Sequence, residues 1–325
     1  MADSWEVRTG EALAEIARVP SDSVDCCVTS PPYWRMRDYG HPEQLGLEDD
    51  VADFIGRLAD IFDEVRRVLT PAGTCWVNIG DGYTRAGGGR DKGCDMGRRY
   101  LGTPGRTSPG LKAGDLVGVP WMLAFELRAR GWYLRGEQIW AKTNPIPDGA
   151  RSRPGRSHEH VFLLTKQASP NYVYNEHAVR TELAPKTLTT VGTERRPTGT
   201  DGSNNVRAFK YSKERRHRVD EKGRPVGASL RSVWAMASNS NRARIGHFAM
   251  MPHRLARVCV LAGSDPGGLV LDPFCGAGTV GVVALRAGRR FLGLELVEDS
   301  AALAREQIQL DAPLLNRAAS EGDRV

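Results

Sequence analysis

Leu271-Asp272-Pro273-Phe274-Cys275-Gly276-Ala277-Gly278-Thr279 is the stretch from which the rest of the chain can be ordered. Leu269-Val270-Leu271 reads as a buried strand, and Ala277 to Ala287 has helical spacing. The glycines between them permit a tight turn and close approach of backbone to a ligand. The helix start offers free N–H groups and a partial positive charge. Arg290 to Leu296 reads as the next strand and Ser300 to Leu310 as a final helix. Glu295 follows Gly276 by 19 residues, at the end of that second strand. A carboxylate placed there can accept two hydrogen bonds from ribose hydroxyls. The pattern therefore suits an adenosine-containing cofactor. It lacks the third glycine of G-x-G-x-x-G and the Lys-Ser/Thr pair of a P-loop, so it suits neither NAD nor ATP. A purely structural glycine turn could also join strand to helix, but it would need neither Asp-Pro-Phe before it nor Glu295 after it.

Working outward, Pro252 to Leu261 reads as a helix leading into this unit. Near the other end, Val51, Phe54, Ile55, Leu58, Ile61, Phe62, Val65, Val68 and Leu69 recur at three- and four-residue spacing, an amphipathic helix closed by Pro71 and Gly73. Thr74 to Ile79 reads as a strand, with Gly80-Asp81-Gly82 as the turn at its carboxyl end. Pro120 opens a helix through Arg130, and strands follow at Trp132–Lys142 and His160–Lys166. Strands alternating with helices at both ends of the chain predict an α/β, doubly wound and mostly parallel sheet. In such sheets ligands bind beyond the carboxyl ends of the strands.

The second constellation is Thr29-Ser30-Pro31-Pro32-Tyr33-Trp34, preceded by the apolar strand pattern Val24 to Val28. Two prolines stop the strand and fix two backbone angles. Having no N–H, they leave nearby carbonyls without a usual partner. Ser30 supplies a small hydroxyl, and Tyr33 and Trp34 supply flat faces. Together these suit a planar ring carrying an exocyclic amine. Taken alone, the motif reads more readily as a strand end, a proline turn and two core aromatics, and it is the rest of the chain that reverses that weighting.

The chain has 325 residues and a formal charge of +6. Lys186 to Arg231 holds 12 Lys and Arg against 5 Asp and Glu, and Thr84 to Ala113 holds 7 against 2, so everything else sums to −6. Two basic segments on an acidic body point to a polyanion at those segments. Solvated loops would look the same by charge alone. Residues 84–114 are glycine-rich and read as a long loop of the kind that is usually either functional or disordered. Residues 168–232 are polar, basic and weak in periodicity, and read as an inserted recognition region. Six cysteines and seven histidines show no ligand spacing, so buried free thiols and no metal are expected. No apolar run reaches the length of a membrane span, and the start lacks the basic and apolar regions of a signal peptide. No membrane partner and a cytoplasmic location are the expectations.

The two constellations together resemble the amino-methylating DNA methyltransferases, and their order resembles the circularly permuted β group of that family. Trp140-Ala141-Lys142-Thr143-Asn144-Pro145, Ser157-His158-Glu159-His160 and Gly246-His247-Phe248-Ala249-Met250-Met251-Pro252 resemble further motifs of it. The last of these helps cover the methionine moiety of the family's cofactor. The resemblance spans about residues 6–166 and 230–310; where the family often has Ser-Gly-Thr-Thr, this chain has Ala277-Gly278-Thr279-Val280.

The resemblance implies a Rossmann-like, seven-stranded sheet with one antiparallel strand and helices on both faces. It implies S-adenosyl-L-methionine as cofactor, held by Asp272, Phe274, Gly276, Gly278, Thr279 and Glu295, and Ser30, Pro31, Pro32 and Tyr33 as the catalytic tetrad. Duplex DNA is the implied substrate, with base flipping. Ser30 flanked by Thr29 and Trp34 resembles the enzymes acting on cytosine N4; adenine N6 is the alternative. Methylation at cytosine carbon 5 usually needs a Pro-Cys pair, and none occurs. A silent DNA-binding protein or an RNA methyltransferase of the same fold are further alternatives. The expected division is a catalytic half at 1–166, a recognition insert at 167–232 with Arg195, Arg196, Arg215 and Arg216 against phosphate, and a cofactor half at 233–325. A cognate restriction endonuclease is a candidate partner; the sequence says nothing of oligomeric state.

Overall fold

The computed structural model describes residues 4–84, 110–148, 151–168, 171–181, 227–238 and 250–311. They fall into two units, one within residues 1–175 and 231–311 and a smaller one within residues 176–181 and 227–230. Most of the basic loop at 84–114 and of the insert, Arg195, Arg196, Arg215 and Arg216 included, lies outside the described residues.

The large unit is built on β1 (Trp5–Thr9), β2 (Val24–Thr29), β3 (Leu69–Ile79), β4 (Tyr133–Lys142), β5 (His158–Thr165), β6 (Val233–Met236), β7 (Leu269–Asp272) and β8 (Arg290–Glu295). Its helices are α1 (Ala12–Ala17), α2 (Val51–Val68), α3 (Val119–Ala129), α4 (His253–Gly263), α5 (Thr279–Arg286) and α6 (Glu298–Leu310). The strands form one sheet in the order β1-β8-β7-β2-β3-β5-β4-β6. Among these strands only β5 runs against its neighbours; every other pairing is parallel.

This is the expected sheet with one strand more than the seven predicted. The addition is β6, which pairs in parallel with the end of β4, Ile139 opposite Val233 through Lys142 opposite Met236. Four residues in a polar stretch carry too little pattern to announce a strand. It is held by burial of alternate side chains: Trp234 and Met236 point inward, and Trp234 lies 6.5 Å from Trp76 by ring centroid. β1 and α1 also escaped the sequence reading, because at five and six residues each is too short to carry a clear periodicity. Pairing with β8, Trp5 opposite Phe291, holds β1 in place. β3 begins at Leu69 rather than Thr74, and Pro71 falls where the β2–β3 register shifts between Val24 and Cys26. A missing N–H is tolerated at such an irregularity.

The two faces of the sheet follow the period of two. Cys27, Cys75, Val77 and Leu271 join a core with α1, α2 and α3. The intervening Cys26, Thr74 and Trp76 face α4, where a Cβ on Gly263 would lie 2.5 Å from both Thr74 Oγ1 and Trp76 Nε1. Helices therefore cover both faces. α2 is the main support of the first. Asp50 caps it by accepting from the Ala52 N–H at 2.9 Å, and Phe54, Leu58, Phe62 and Val65 are fully buried along one stripe. Truncating Phe54 or Phe62 to Ala would cost about 3–5 kcal/mol. The described cysteines, Cys26, Cys27, Cys75, Cys259 and Cys275, are buried free thiols. No described helix is long and apolar enough to cross a membrane.

The small unit is a closure. Thr181 and Ala228 form an antiparallel bridge, Arg180 Nη1 donates to the Gly227 carbonyl at 3.0 Å, and Ser229 Oγ donates to Glu176 Oε1 at 2.7 Å. The two ends of the insert are thereby pinned to each other.

Candidate active site

β2 lies between β7 and β3, so the two sequence constellations end on neighbouring strands. One side of the site is the turn after β7. Gly276 and Gly278 take φ of +53° and +82°, a region that side chains disfavour. Gly278 also faces α6, where an added Cβ would sit 3.0 Å from the Ala304 Cβ. The turn thus admits α5 close against α6 and aims its opening N–H groups at the space above β7.

Glu295, at the end of β8, accepts the Gly276 N–H on Oε2 at 2.7 Å and the Val297 N–H on Oε1 at 3.0 Å. Each oxygen keeps a lone pair for a ligand. Burial raises the carboxyl above its usual range, against the backbone N–H bonds that lower it. Asp272 is more deeply enclosed. Burial pushes its carboxyl up to about 7, although Thr29 Oγ1 donates to its Oδ1 at 2.6 Å and the Phe274 N–H at 3.1 Å. A buried acid with few partners is suited to a cationic group of a ligand.

Both acids line one cleft together with Ser30, Pro32, Phe274, Gly276 and Thr279. Leu45, Ile61, Met250 and Met251 add apolar wall. The combination of a paired-acceptor carboxylate, an apolar slot and a second acid matches the diol, base and amino group of S-adenosyl-L-methionine. Met250 and Met251, with Pro252, are the described part of the 246–252 motif. Gly10, Glu11, Arg37, Tyr39 and Gln44 also line the cleft; sequence reading missed them because their segments carry no motif.

The other side of the site follows β2. Ser30 lines the cleft, and its Oγ donates to the Tyr33 hydroxyl at 3.4 Å. Pro31 is buried. The Tyr33 ring lies against Gly80, where a Cβ would meet Cε2 at 2.7 Å, so any other residue there would displace the ring. Tyr33 donates to Glu159 Oε2 at 2.6 Å. Glu159 also accepts from Asn78 Nδ2 at 3.1 Å and pairs with Lys142 Nζ at 2.5 Å. Burial and the Glu159 carboxylate hold the Tyr33 phenol well above its usual range. This network joins Lys142 and Glu159, each named only within a motif string, to the tetrad across β4, β5 and β3. Trp34 is tied elsewhere: its indole N–H donates to the Glu48 carbonyl at 3.1 Å. Asp81 of the Gly80–Gly82 turn is used structurally, accepting the Gly118 and Val119 N–H groups at 3.0 and 3.2 Å at the start of α3.

Known proteins resemble this chain in sequence and in fold. The family model for N6/N4-type DNA methylase matches residues 24–306. The type II methyltransferase M.SmaI of Serratia marcescens is 41% identical over 307 residues, covering 94% of this chain and 91% of its own. M.Cfr9I of Citrobacter freundii, also a type II methyltransferase, is 42% identical over 301 residues, covering 92% and 86%. Among solved structures, TTHA0409 of Thermus thermophilus, a candidate DNA modification methylase in complex with S-adenosyl-L-methionine, superposes with a TM-score of 0.54 at 25% identity, covering 94% of this chain and 95% of its own. PvuII DNA methyltransferase, cytosine-N4-specific, shares the fold with a TM-score of 0.56 at 15% identity, covering 95% and 91%.

Proposed function

Because the chain belongs to the N6/N4 DNA methylase family, a family of S-adenosyl-L-methionine-dependent DNA methyltransferases, we propose that its target atom is N4 of cytosine, reached in duplex DNA after the base flips out of the stack. The observation that carries the reading is Ser30 on the wall of the cleft that also holds Asp272 and Glu295. The Ser at this position, between Thr29 and Trp34, favours cytosine over adenine.

S-Adenosyl-L-methionine supplies a methyl group activated by a sulfonium sulfur. Glu295 would hold its ribose hydroxyls, Asp272 its amino group, and Phe274 with Gly276, Gly278 and Thr279 the surrounding surface. Ser30 Oγ and the Pro31 carbonyl would accept the two N–H bonds of the target amine. That draws its lone pair out of conjugation with the ring and leaves the nitrogen pyramidal and nucleophilic. Pro31 and Pro32 keep those acceptors fixed before the base arrives. The Tyr33 ring, set by Gly80, offers the base a flat partner. The rate then derives from positioning and preorganised dipoles rather than a covalent intermediate.

DNA methylated by the purified protein is digested to nucleosides and weighed by mass spectrometry. N4-methyl-2'-deoxycytidine is expected; N6-methyl-2'-deoxyadenosine in its place would sink the cytosine assignment and leave the family membership intact. Ser30→Ala is expected to lower kcat by roughly 10²-fold with little change in DNA affinity, since its bond strengthens as the amine pyramidalises. The insert at 167–232 is assigned to recognition of the DNA sequence. A restriction endonuclease of the same specificity is the partner to which the type II relatives point.

A further inference from the structure

We propose that Glu159 is a positioning residue that sets the direction of the hydrogen-bond chain Ser30–Tyr33–Glu159, so that Ser30 turns its lone pairs rather than its proton toward the target amine. The inference rests on the reading of Ser30 as the acceptor of an amine N–H.

A carboxylate can only accept hydrogen bonds. Glu159 is 7% exposed and is surrounded by donors: Lys142 Nζ at 2.5 Å on Oε1, and Asn78 Nδ2 at 3.1 Å and the Tyr33 hydroxyl at 2.6 Å on Oε2. Tyr33 must therefore spend its one proton on Glu159. Its oxygen is left as an acceptor, and the polar hydrogen within reach is that of Ser30 Oγ at 3.4 Å. The Ser30 proton is drawn away from the cleft, and both of its lone pairs remain available there. With the Ser30 proton turned into the cleft instead, the hydroxyl would oppose the N–H of an incoming amine rather than accept it. The raised affinity of the Tyr33 phenol for its proton keeps the chain supplied with a hydroxyl rather than a phenolate. Gly80 keeps the ring in line, and Asn78 is anchored by a second bond from Nδ2 to the His160 carbonyl at 3.2 Å. Serine alone has three rotamers for its hydroxyl proton; Glu159 selects among them from two hydrogen bonds away.

A glutamine in this place has a distinctive consequence. The Lys142 ammonium, a full charge, excludes the amide NH2 from its side more strongly than the neutral Asn78 amide does from the other, so the amide oxygen faces Lys142 and the NH2 faces Tyr33, while Asn78 keeps its bond to the His160 carbonyl. Tyr33 would then accept from residue 159 and donate to Ser30, and the Ser30 proton would point into the cleft. Glu159→Gln should thus reverse the chain, and Tyr33→Phe should abolish it while keeping the ring.

The test is steady-state kinetics on duplex DNA with the wild-type protein, Glu159→Gln, Tyr33→Phe, the double variant and Ser30→Ala. Glu159→Gln is expected to lower kcat by about ten- to a hundredfold with KM for S-adenosyl-L-methionine within about twofold of wild type. Tyr33→Phe is expected to cost less, about fivefold, because a free hydroxyl can still rotate to accept. The double variant is expected to be faster than Glu159→Gln, since the reversed donor is gone; a merely structural role, in which each change only removes a contact, leaves the double variant no faster than Glu159→Gln. A double variant as slow as or slower than Glu159→Gln overturns the inference. If Glu159→Gln does not fold, Tyr33→Phe with wild-type kcat overturns it as well. Wild-type turnover in Ser30→Ala would overturn the reading of Ser30 and this one with it. A slow Ser30→Ala beside wild-type turnover in Glu159→Gln overturns this one alone.

Discussion

Thr29 Oγ1 donates to Asp272 Oδ1 at 2.6 Å, joining the last residue of β2 to the last residue of β7 across 243 positions of sequence. The residue that follows Thr29 is Ser30, the proposed acceptor of the target amine, and the residue that Thr29 holds is an acid of the same cleft. Both groups are fully enclosed, so the bond is shielded from water and fixes the spacing between the two halves of the site. Methyl transfer depends on that spacing, because effective molarity is lost rapidly with displacement of the reacting atoms.

Thr29→Val tests the link with a side chain of nearly the same shape. The change removes the donor and leaves Asp272 with the Phe274 N–H alone among the bonds given above. Affinity for S-adenosyl-L-methionine should fall by about five- to tenfold, the scale of one ordinary hydrogen bond. Isothermal calorimetry measures it; an unchanged dissociation constant removes Thr29 from the machinery of the site.

The buried acid predicts a pH dependence. The Asp272 carboxyl is raised from 3.8 to about 7, so the folded protein binds a proton that the unfolded chain has released. Its contribution to stability is greatest below the unfolded value, declines as pH rises between 3.8 and about 7, and levels off above. Cofactor binding has the opposite sign, since a cationic amino group needs the carboxylate. Affinity should rise with pH up to about 7 and be about tenfold weaker at pH 6 than on the plateau. Glu295, raised in the same direction by burial, adds to the trend. Calorimetry in buffers of different ionisation enthalpy should detect proton release on binding. In Thr29→Val the midpoint should move higher, because the bond from Thr29 holds the Asp272 value down.

Glu295→Ala removes an acceptor that also orders the Gly276 and Val297 N–H groups. Cofactor affinity should weaken by about 1–3 kcal/mol. The thermal shift produced by saturating cofactor should shrink in step. A full shift in the variant would place the ribose elsewhere.

The DNA contact predicts a salt effect. Replacing Arg195, Arg196, Arg215 and Arg216 by Gln should weaken binding to duplex DNA uniformly across sequences. If all four meet phosphates, the slope of log affinity against log salt should flatten by about 3–4. An unaltered slope would make these arginines bystanders.

The sequence by itself determined the alternation of strands and helices, the two motifs and their order. It did so because buried strands and amphipathic helices carry local periodicities, and because glycine and proline act on the backbone where they stand. The stripe of α2 from Phe54 to Val65 and the glycine turn before α5 were legible for that reason. Tertiary structure alone decided β1 and β6, short strands held by pairing to β8 and β4 rather than by pattern of their own. It also decided the chemistry around Ser30. Tyr33 reads from sequence as a stacking ring, yet its hydroxyl is governed by Glu159 from 126 residues away, and Glu159 by Lys142 and Asn78 from two other strands. Asp81, which reads as part of a ligand turn, is instead consumed by the start of α3. A side chain's residue type states which bonds it can make; only the packing of distant strands states which one it makes, because a buried polar group takes whichever partner the fold brings within about 3 Å.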